Sequence, residues 1–199
     1  EHKAKMNELV PTSTINGTFE AHITFDCSQN TEEFIDRLQR TCENTKFKVI
    51  YIDLDTKPGQ KQLQQLMTSS YHCGQYPSIV KKIEDEVHEK FQEFPILRIK
   101  IESLASNEGV PQTDIDKKLF WEKDTNYFEF HYKLAVANSN RGQDQLAMLQ
   151  KICRSCYQFH LHLSRNAFKQ FDENTAHYMV TMRLSNVGRD RAFENSDEV

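Results

Sequence analysis

Alternation of apolar and polar residues predicts several β-strands with one buried face. In residues 19–25 every second side chain is apolar, and the polar positions between them are Glu20, His22 and Thr24. The same pattern returns 109 residues later in residues 128–134, where the polar positions are Glu129, His131 and Lys133. A period of two residues is typical of a strand that packs one side against a core. The two stretches therefore indicate an internal repeat.

The elements that follow each of these strands support the repeat. In the first copy, apolar residues at helical spacing lead into strand patterns at 48–54 and 66–74, then a second helix and a strand at 96–102. In the second copy, a helical pattern leads into strand patterns at 158–164 and 179–188, and residues 189–199 begin a further helix. The first copy reads strand–helix–strand–strand–helix–strand, which is the order of a ferredoxin-like unit.

The sequence thus predicts an α+β protein made of two tandem ferredoxin-like (βαββαβ) halves with antiparallel sheets, the second copy being incomplete. The predicted divisions are an N-terminal extension at 1–18, a first half at 19–102, a linker at 103–125 and a second half at 126–199. The linker assignment depends on several charged residues around Gly109, Val110 and Pro111.

In such a unit the helices cover one sheet face, so the apolar strand positions are expected to face the helices and the polar ones to share the other face. The residues predicted on this polar face are Glu20, His22, Thr24, Tyr51, Asp53, Thr68, Ser70, Arg98, Lys100, Glu102, Glu129, His131, Lys133, His160, His162, Ser164, Thr181 and Arg183. A plain solvated sheet surface is the simpler interpretation, since such residues are ordinary there. A polar cleft between the two halves is the alternative.

Composition narrows the classes of function. The 199 residues carry 25 Lys and Arg against 29 Asp and Glu, a net charge of -4 that does not favour general duplex nucleic-acid binding. No apolar run approaches the ~20 residues that cross a bilayer, so no membrane partner is predicted. Five cysteines without a signal peptide favour a reducing compartment, and we predict a cytoplasmic protein. Neither a glycine-rich phosphate loop nor a GxGxxG motif is present, and no cofactor is predicted.

One short motif suggests a chemistry. His22-Ile23-Thr24 resembles the His-x-Thr motif of the 2H phosphoesterase superfamily, two-lobed proteins that cleave or ligate cyclic phosphodiesters and RNA ends. His22 and its repeat partner His131 are predicted as the catalytic acid–base pair because they occupy matched positions in the two copies, and the resemblance implies a small phosphorylated ligand or RNA end as partner. The substrate-binding residues predicted with them are Thr24, Lys100, Lys133, His162, Ser164, Thr181 and Arg183. The repeat partner of the motif, His131-Tyr132-Lys133, lacks the hydroxyl residue.

Two other interpretations remain open. His22 and His131 with Glu20, Glu129 or Glu102 resemble the metal sites of the vicinal-oxygen-chelate class, and such ligands suit Zn, Fe or Ni. The halves also suit a non-enzymatic module that binds an anion or peptide, with an open sheet edge for oligomer formation.

A separate group of cysteine and histidine residues suggests a zinc site. It comprises Cys153, Cys156, His160 and His162, and we interpret its thiols as packed at a helix end, since free cysteines are commonly buried.

Overall fold

The computed structural model describes residues 15–26, 32–54, 63–120, 126–137, 142–166 and 175–197. These residues form an α+β fold with one seven-stranded antiparallel sheet and five helices. The strands are β1 (Asn16–Phe25), β2 (Lys48–Leu54), β3 (Leu63–Gln75), β4 (Ile96–Ser103), β5 (Tyr127–Ala137), β6 (His162–Asn166) and β7 (Thr175–Ser185). The helices are α1 (Glu32–Cys42), α2 (Tyr76–Phe91), α3 (Asp114–Phe120), α4 (Gly142–Gln158) and α5 (Arg189–Asp197).

The sheet runs in the order β4-β1-β3-β2-β6-β7-β5. The two halves of the chain join at a short seam where Ile52–Leu54 of β2 pair with Ser164–Asn166 of β6. A salt bridge of 2.8 Å between Arg165 Nη2 and Asp53 Oδ2 crosses this seam. The seam is thus held by three residue pairs of the ladder and one ion pair.

The main core lies between the first four strands and helices α1 and α2. The alternating apolar residues of β1 are almost fully buried, as the pattern predicts: Phe19, Ala21, Ile23 and Phe25. Helix α2 presents a stripe at a spacing of four, Ile79, Ile83, Val87 and Phe91, and all four are buried. Burying side chains of this size contributes about 1.5–3 kcal/mol each. These contacts fix which side of the sheet faces the helices.

The predicted linker contains structure of its own. Residues 114–120 form α3, and Asn16 of β1 forms an isolated bridge with Glu108. Asn107 is inserted against β1, where its Oδ1 accepts from the backbone N–H of Thr18 at 2.9 Å and its Nδ2 donates to the carbonyl of Thr18. The segment after β4 is therefore attached to the first half by its side chains and backbone.

The structure corrects the predicted start of β6. Helix α4 continues to Gln158, and β6 begins only at His162. Phe159, expected on the inward side of a strand, is 63% exposed, and His160 has a φ of 56°. A left-handed residue just after a helix is a common way to end it. His160 therefore lies in a turn, and the apparent alternation in residues 158–161 was misleading.

The predicted faces of β2 and β3 are also wrong. Thr68 and Ser70 pair with Ile23 and Ala21 of β1, so both hydroxyls lie on the helix-covered side. Tyr51 and Asp53 lie on that side as well, because their partners in the ladder are Leu66 and Gln64. A shift of one residue in register moves every side chain to the opposite face. On the other face lie Lys48, Ile50, Ile52 and Leu54 of β2 and Gln65, Met67, Ser69, Tyr71 and Cys73 of β3.

Strand β4 departs from the prediction on its apolar side. Its polar residues Arg98, Lys100 and Glu102 face away from the helices, as predicted, because they pair with the polar positions of β1. Leu97 and Ile99, expected in the core, are 65% and 37% exposed. The β1–β4 register shifts at Leu97, because Thr24 pairs with Arg98 and Phe25 with Ile96, so Leu97 has no partner in the ladder and Ile96 packs on the core instead. Ile99 is less completely covered because an edge strand has a neighbour on one side alone.

The sheet curls until its two edge strands approach each other. Seven strands laid flat separate their edges by about 29 Å. Nevertheless Nζ of Lys100 on β4 lies 3.0 Å from Oε1 of Glu129 on β5. The face that carries these two side chains must therefore be the inside of the curve, and we call it the inner face.

None of the described helices has the length and apolar character that a membrane crossing requires.

Candidate functional site

The inner face combines an apolar floor with a polar cluster. Its floor lies near the middle of the sheet and is formed by Ile50, Ile52, Leu54, Met67 and Met179, as the cross-strand pairs require. At the junction of the curled edges lies a group that we call the inner cluster, composed of Glu20, His22, Lys100, Glu102, Glu129, His131 and Arg183. Strand alternation puts all seven on one face, and the curl brings β4 and β5 together.

Glu129 is the most heavily paired member of the inner cluster. Its Oε2 accepts from Nε of Arg183 at 2.6 Å, and its Oε1 accepts from Nζ of Lys100 at 3.0 Å. Burial raises the pKa of Glu129, but hydrogen bonds from His131, Arg183 and Lys100 outweigh it and leave that pKa far below its ordinary value. Both cations also lie over the ring of Tyr127, Lys100 at 5.5 Å and Arg183 at 5.2 Å. Glu129 is thus ionised and fixed in position.

His22 lies between two carboxylates. Its Nε2 is 3.5 Å from Oε2 of Glu102 and 3.7 Å from Oε1 of Glu20. Burial lowers the pKa of His22, but the hydrogen bond and charge of Glu102 and the charge of Glu20 outweigh burial, so the net pKa is raised. Glu20 is itself held by Ser69, whose Oγ donates to Oε1 at 2.5 Å.

The other ring nitrogen of His22, Nδ1, is buried and makes no hydrogen bond within the described part of the chain. An unpaired buried polar group costs about 1–3 kcal/mol, so this imidazole is a poor choice for stability alone.

His131 occupies the corresponding position on β5. Its Nε2 lies 3.3 Å from Oε1 of Glu129, and its Nδ1 lies 3.1 Å from Oγ1 of Thr181. Thr181 faces His131 directly across the β5–β7 ladder, which explains the contact. The ring is thereby oriented from both ends.

Glu102 connects the two histidine positions. Ligand atoms of Glu20, His22 and Glu102 all lie within 4.8 Å of one another, and so do those of Glu102, Glu129 and His131. Burial raises the pKa of Glu102, but hydrogen bonds from His22 and Lys100 outweigh it and lower the net pKa. Glu102 is therefore an ionised carboxylate within reach of both imidazoles.

The spacing around His22 matches a metal coordination shell. Zinc lies about 2.1 Å from nitrogen and oxygen ligands in a tetrahedron, which separates the ligand atoms by about 3.4 Å. The distances from Nε2 of His22 to its two carboxylate oxygens, 3.5 and 3.7 Å, are close to that value. The third separation, between the carboxylate oxygens of Glu20 and Glu102, is below 4.8 Å, so the three ligand atoms are close enough to bind one ion.

Five of the predicted site residues meet in or against the inner cluster. They are His22, His131, Lys100, Thr181 and Arg183. Thr24 lies on the same face but is 5% exposed, and its hydroxyl contacts no hydrogen-bond partner in the described part of the chain.

The remaining predicted site residues, Lys133, His162 and Ser164, lie on β5 and β6 outside the inner cluster. Lys133 and Ser164 both pair with Met179, and His162 pairs with Thr181, so all three share the inner face. Ser164 donates to the carbonyl of Met179 at 3.5 Å. The structure gives none of these three a contact with the inner cluster.

The sequence did not reveal the residues that support the cluster. Ser69 and Tyr71, which both hydrogen-bond with Glu20, were missed because the register of β3 was misjudged, and Tyr127 because it precedes the predicted strand. The alternation in residues 67–71 contained no signal that could fix the register. The Cys153–His162 run forms no metal-ligand cluster in the parts of the chain that the structure describes.

Comparison of the chain with known protein families, with curated proteins and with solved structures gives no significant match.

Proposed function

We propose that the inner face binds a divalent transition metal ion through Glu20, His22 and Glu102. The observation that carries the proposal is the convergence of three ligand atoms within 4.8 Å of one another on neighbouring strands. One imidazole and two carboxylates suit zinc, iron or manganese. Three protein ligands leave a tetrahedral ion one position for water, which is the arrangement of catalytic rather than structural zinc.

The charges of the cluster favour a cation over an anion. Three carboxylates line it, and the two permanent cations, Lys100 and Arg183, are already paired with them. A phosphate that enters would compete with Glu102 and Glu129 for the same donors. A metal ion at His22 would instead offset the repulsion between Glu20 and Glu102.

Ester hydrolysis is the reaction class that this site supports best, and phosphoesters are the substrate class that the His-x-Thr resemblance suggests. A bound divalent ion lowers the pKa of its water and polarises a phosphoryl oxygen. His131 lies on the same carboxylate cluster and is 47% exposed, so a substrate can reach it as an acid–base group. Its contact with Thr181 holds the ring in one orientation.

A second candidate function is metal-free cleavage of a cyclic phosphodiester by the two histidines. The raised pKa of His22 and its pairing with Glu102 favour it, because a protonated imidazole suits protonation of a leaving oxygen. Turnover of a 2′,3′-cyclic nucleotide that survives a strong chelator and is lost in His22→Ala supports this candidate. Turnover that the chelator abolishes and zinc restores supports the metal-dependent one.

We also infer that the chain arose by duplication of a ferredoxin-like unit. The first half has the strand order β4-β1-β3-β2, and the second half has β5-β7-β6, which is the order of β1-β3-β2 in the first. Glu20 and His22 of β1 then correspond to Glu129 and His131 of β5. Shared ancestry supports the view that both pairs were shaped by one ligand chemistry.

The metal proposal is tested by equilibrium dialysis of the apoprotein against Zn²⁺, with bound metal measured by elemental analysis. We expect one equivalent in the wild type and a loss of at least tenfold in affinity in His22→Ala. His88→Ala is the matched control, since His88 is exposed on α2, across the sheet from the inner face. Wild-type protein without bound zinc, or equal losses in both variants, would overturn the proposal.

A further inference from the structure

The second histidine position of the inner cluster has its own set of ligand atoms, and a cation is already among them. Glu102, Glu129 and His131 bring their ligand atoms within 4.8 Å of one another. Nζ of Lys100 is paired with both carboxylates of this set, with Glu102 and, at 3.0 Å, with Glu129. The ammonium therefore occupies the space between the carboxylates that a metal ion would need.

We propose that Lys100 is a built-in cation that excludes a metal ion from the Glu102–Glu129–His131 set and restricts the inner face to one ion. The inference rests on the proposed metal chemistry of this face, but it concerns a different ligand set. It makes Lys100 the residue that determines whether the face holds one metal ion or two.

Geometry and charge support this role. Lys100 is held on β4 directly opposite His22, and its Nζ lies 5.5 Å from the centre of the Tyr127 ring. Two like charges a few ångströms apart repel, so a divalent ion and the ammonium are not expected to share one pair of carboxylates. Without the ammonium, Arg183 would be the permanent cation paired with Glu129, and Glu102 would lose the permanent cation with which it forms an ion pair.

The presence of the ammonium also explains an asymmetry between the two positions. Glu20 and His22 on one side correspond to Glu129 and His131 on the other, yet Lys100 and Arg183 both bind Glu129 and neither is paired with Glu20. Glu20 instead accepts from the neutral hydroxyl of Ser69. At the His22 position Lys100 is paired with one of the two carboxylates, through Oε1 of Glu102, and Oε2 of Glu102 faces His22. At the His131 position Lys100 is paired with both carboxylates, so this position is the one that the ammonium fills.

The test measures zinc stoichiometry by equilibrium dialysis in the wild type, Lys100→Met, Lys100→Arg and Lys100→Met/His131→Ala. We expect one equivalent in the wild type, two in Lys100→Met, and one again in both other variants. Met keeps the apolar stem of the side chain, and Arg keeps the positive charge. Far-ultraviolet circular dichroism and thermal melting verify that each variant is folded. If Lys100→Met does not fold, Lys100→Ala takes its place.

The outcomes separate this inference from the proposed function. Two equivalents in the wild type, or one in folded Lys100→Met, would overturn the role of Lys100 and leave the His22 site intact. Zero in the wild type and one in Lys100→Met, lost on adding His131→Ala, would overturn the proposed function but support Lys100 as the excluding cation. Zero in every variant would overturn both.

Discussion

Nζ of Lys100 and Oε1 of Glu129 lie 3.0 Å apart although their strands are the two edges of a seven-stranded sheet. This ion pair belongs to β4 of the first half and β5 of the second, so it closes the curl of the sheet over its polar face. The inner cluster depends on this closure, because neither half alone contains both histidine positions.

The ion pair between Lys100 and Glu129 is expected to stabilise the fold, and the effects of removing its two members should not be additive. Lys100→Met and Glu129→Gln should each lower the free energy of unfolding, since each leaves a half-buried charge with one ion-pair partner fewer. In the double variant we expect a loss smaller than the sum, with a coupling of about 1–2 kcal/mol. Urea unfolding of the four proteins gives this value. Additive losses would mean that the pair does not connect the edges in solution.

The seam between β2 and β6 provides a second stability test. The carboxylate of Asp53 is 6% exposed and accepts from Arg165 and Gln64. Arg165→Met leaves it with Gln64 alone, and we expect a loss of about 1–3 kcal/mol in the free energy of unfolding. Asp53→Asn/Arg165→Met removes the charge as well and should recover part of that loss. A double variant that is less stable than Arg165→Met would contradict this account of the seam.

His72 makes stability depend on pH from the helix-covered side of the sheet. Lys46 contacts its Nδ1 at 3.3 Å, and since an ammonium only donates, Nε2 must carry the proton that Oγ of Ser70 accepts at 2.9 Å. Burial first, then the charge of Lys46, lowers the pKa of His72 despite the opposing charge of Glu86. The unfolded chain then binds the proton more tightly, so this contribution to stability is present above pH 6.5 and is lost as the pH falls.

His22 should act in the opposite direction in the metal-free protein. Its pKa is raised, so its contribution to stability is present below pH 6.5 and is lost as the pH rises through the folded pKa. Between pH 5 and 8, His72→Gln should remove a contribution to the free energy of unfolding that rises with pH. His22→Asn should remove a contribution that falls with pH. Slopes that change in the same direction in both variants would refute one of the two assignments.

Metal affinity provides a further pH test. A histidine must be deprotonated to bind zinc, so protons compete with the metal ion for His22. Because the pKa of His22 is raised above 6.5, this competition begins at a pH above 6.5 and grows as the pH falls. We expect the wild-type affinity for Zn²⁺ to fall steadily as the pH is lowered from 8 to 6. An affinity that does not change over this range would place the metal on groups other than an imidazole.

How much the sequence could predict depends on the element. The alternation of β1, β4 and β5 placed Glu20, His22, Lys100, Glu102 and Glu129 correctly on one face. In β1 a period of two leaves no choice because the apolar side is buried, and β4 follows because its polar residues pair with those of β1. The α2 stripe was equally decisive, since residues four apart share a helix face.

The failures have physical causes as well. Strands β2 and β3 carry mixed residues on both faces, so their register depends on pairing with β1, which no local pattern contains. The end of α4 depends on the left-handed conformation of His160, and the composition of residues 156–161 does not predict that conformation. The contact between Lys100 and Glu129 depends on the curl of the whole sheet, which no local pattern contains. This curl determines which charged side chains of the two edge strands meet.

The most direct test of the metal site observes the His22 ring itself. Two-dimensional ¹H–¹⁵N spectra of the side-chain nitrogens, assigned with His22→Gln, follow the ring during titration with one equivalent of Zn²⁺. We predict that the Nε2 resonance of His22 shifts in proportion to added zinc while those of His88 do not. Zinc that binds with the His22 resonances unmoved would contradict the account.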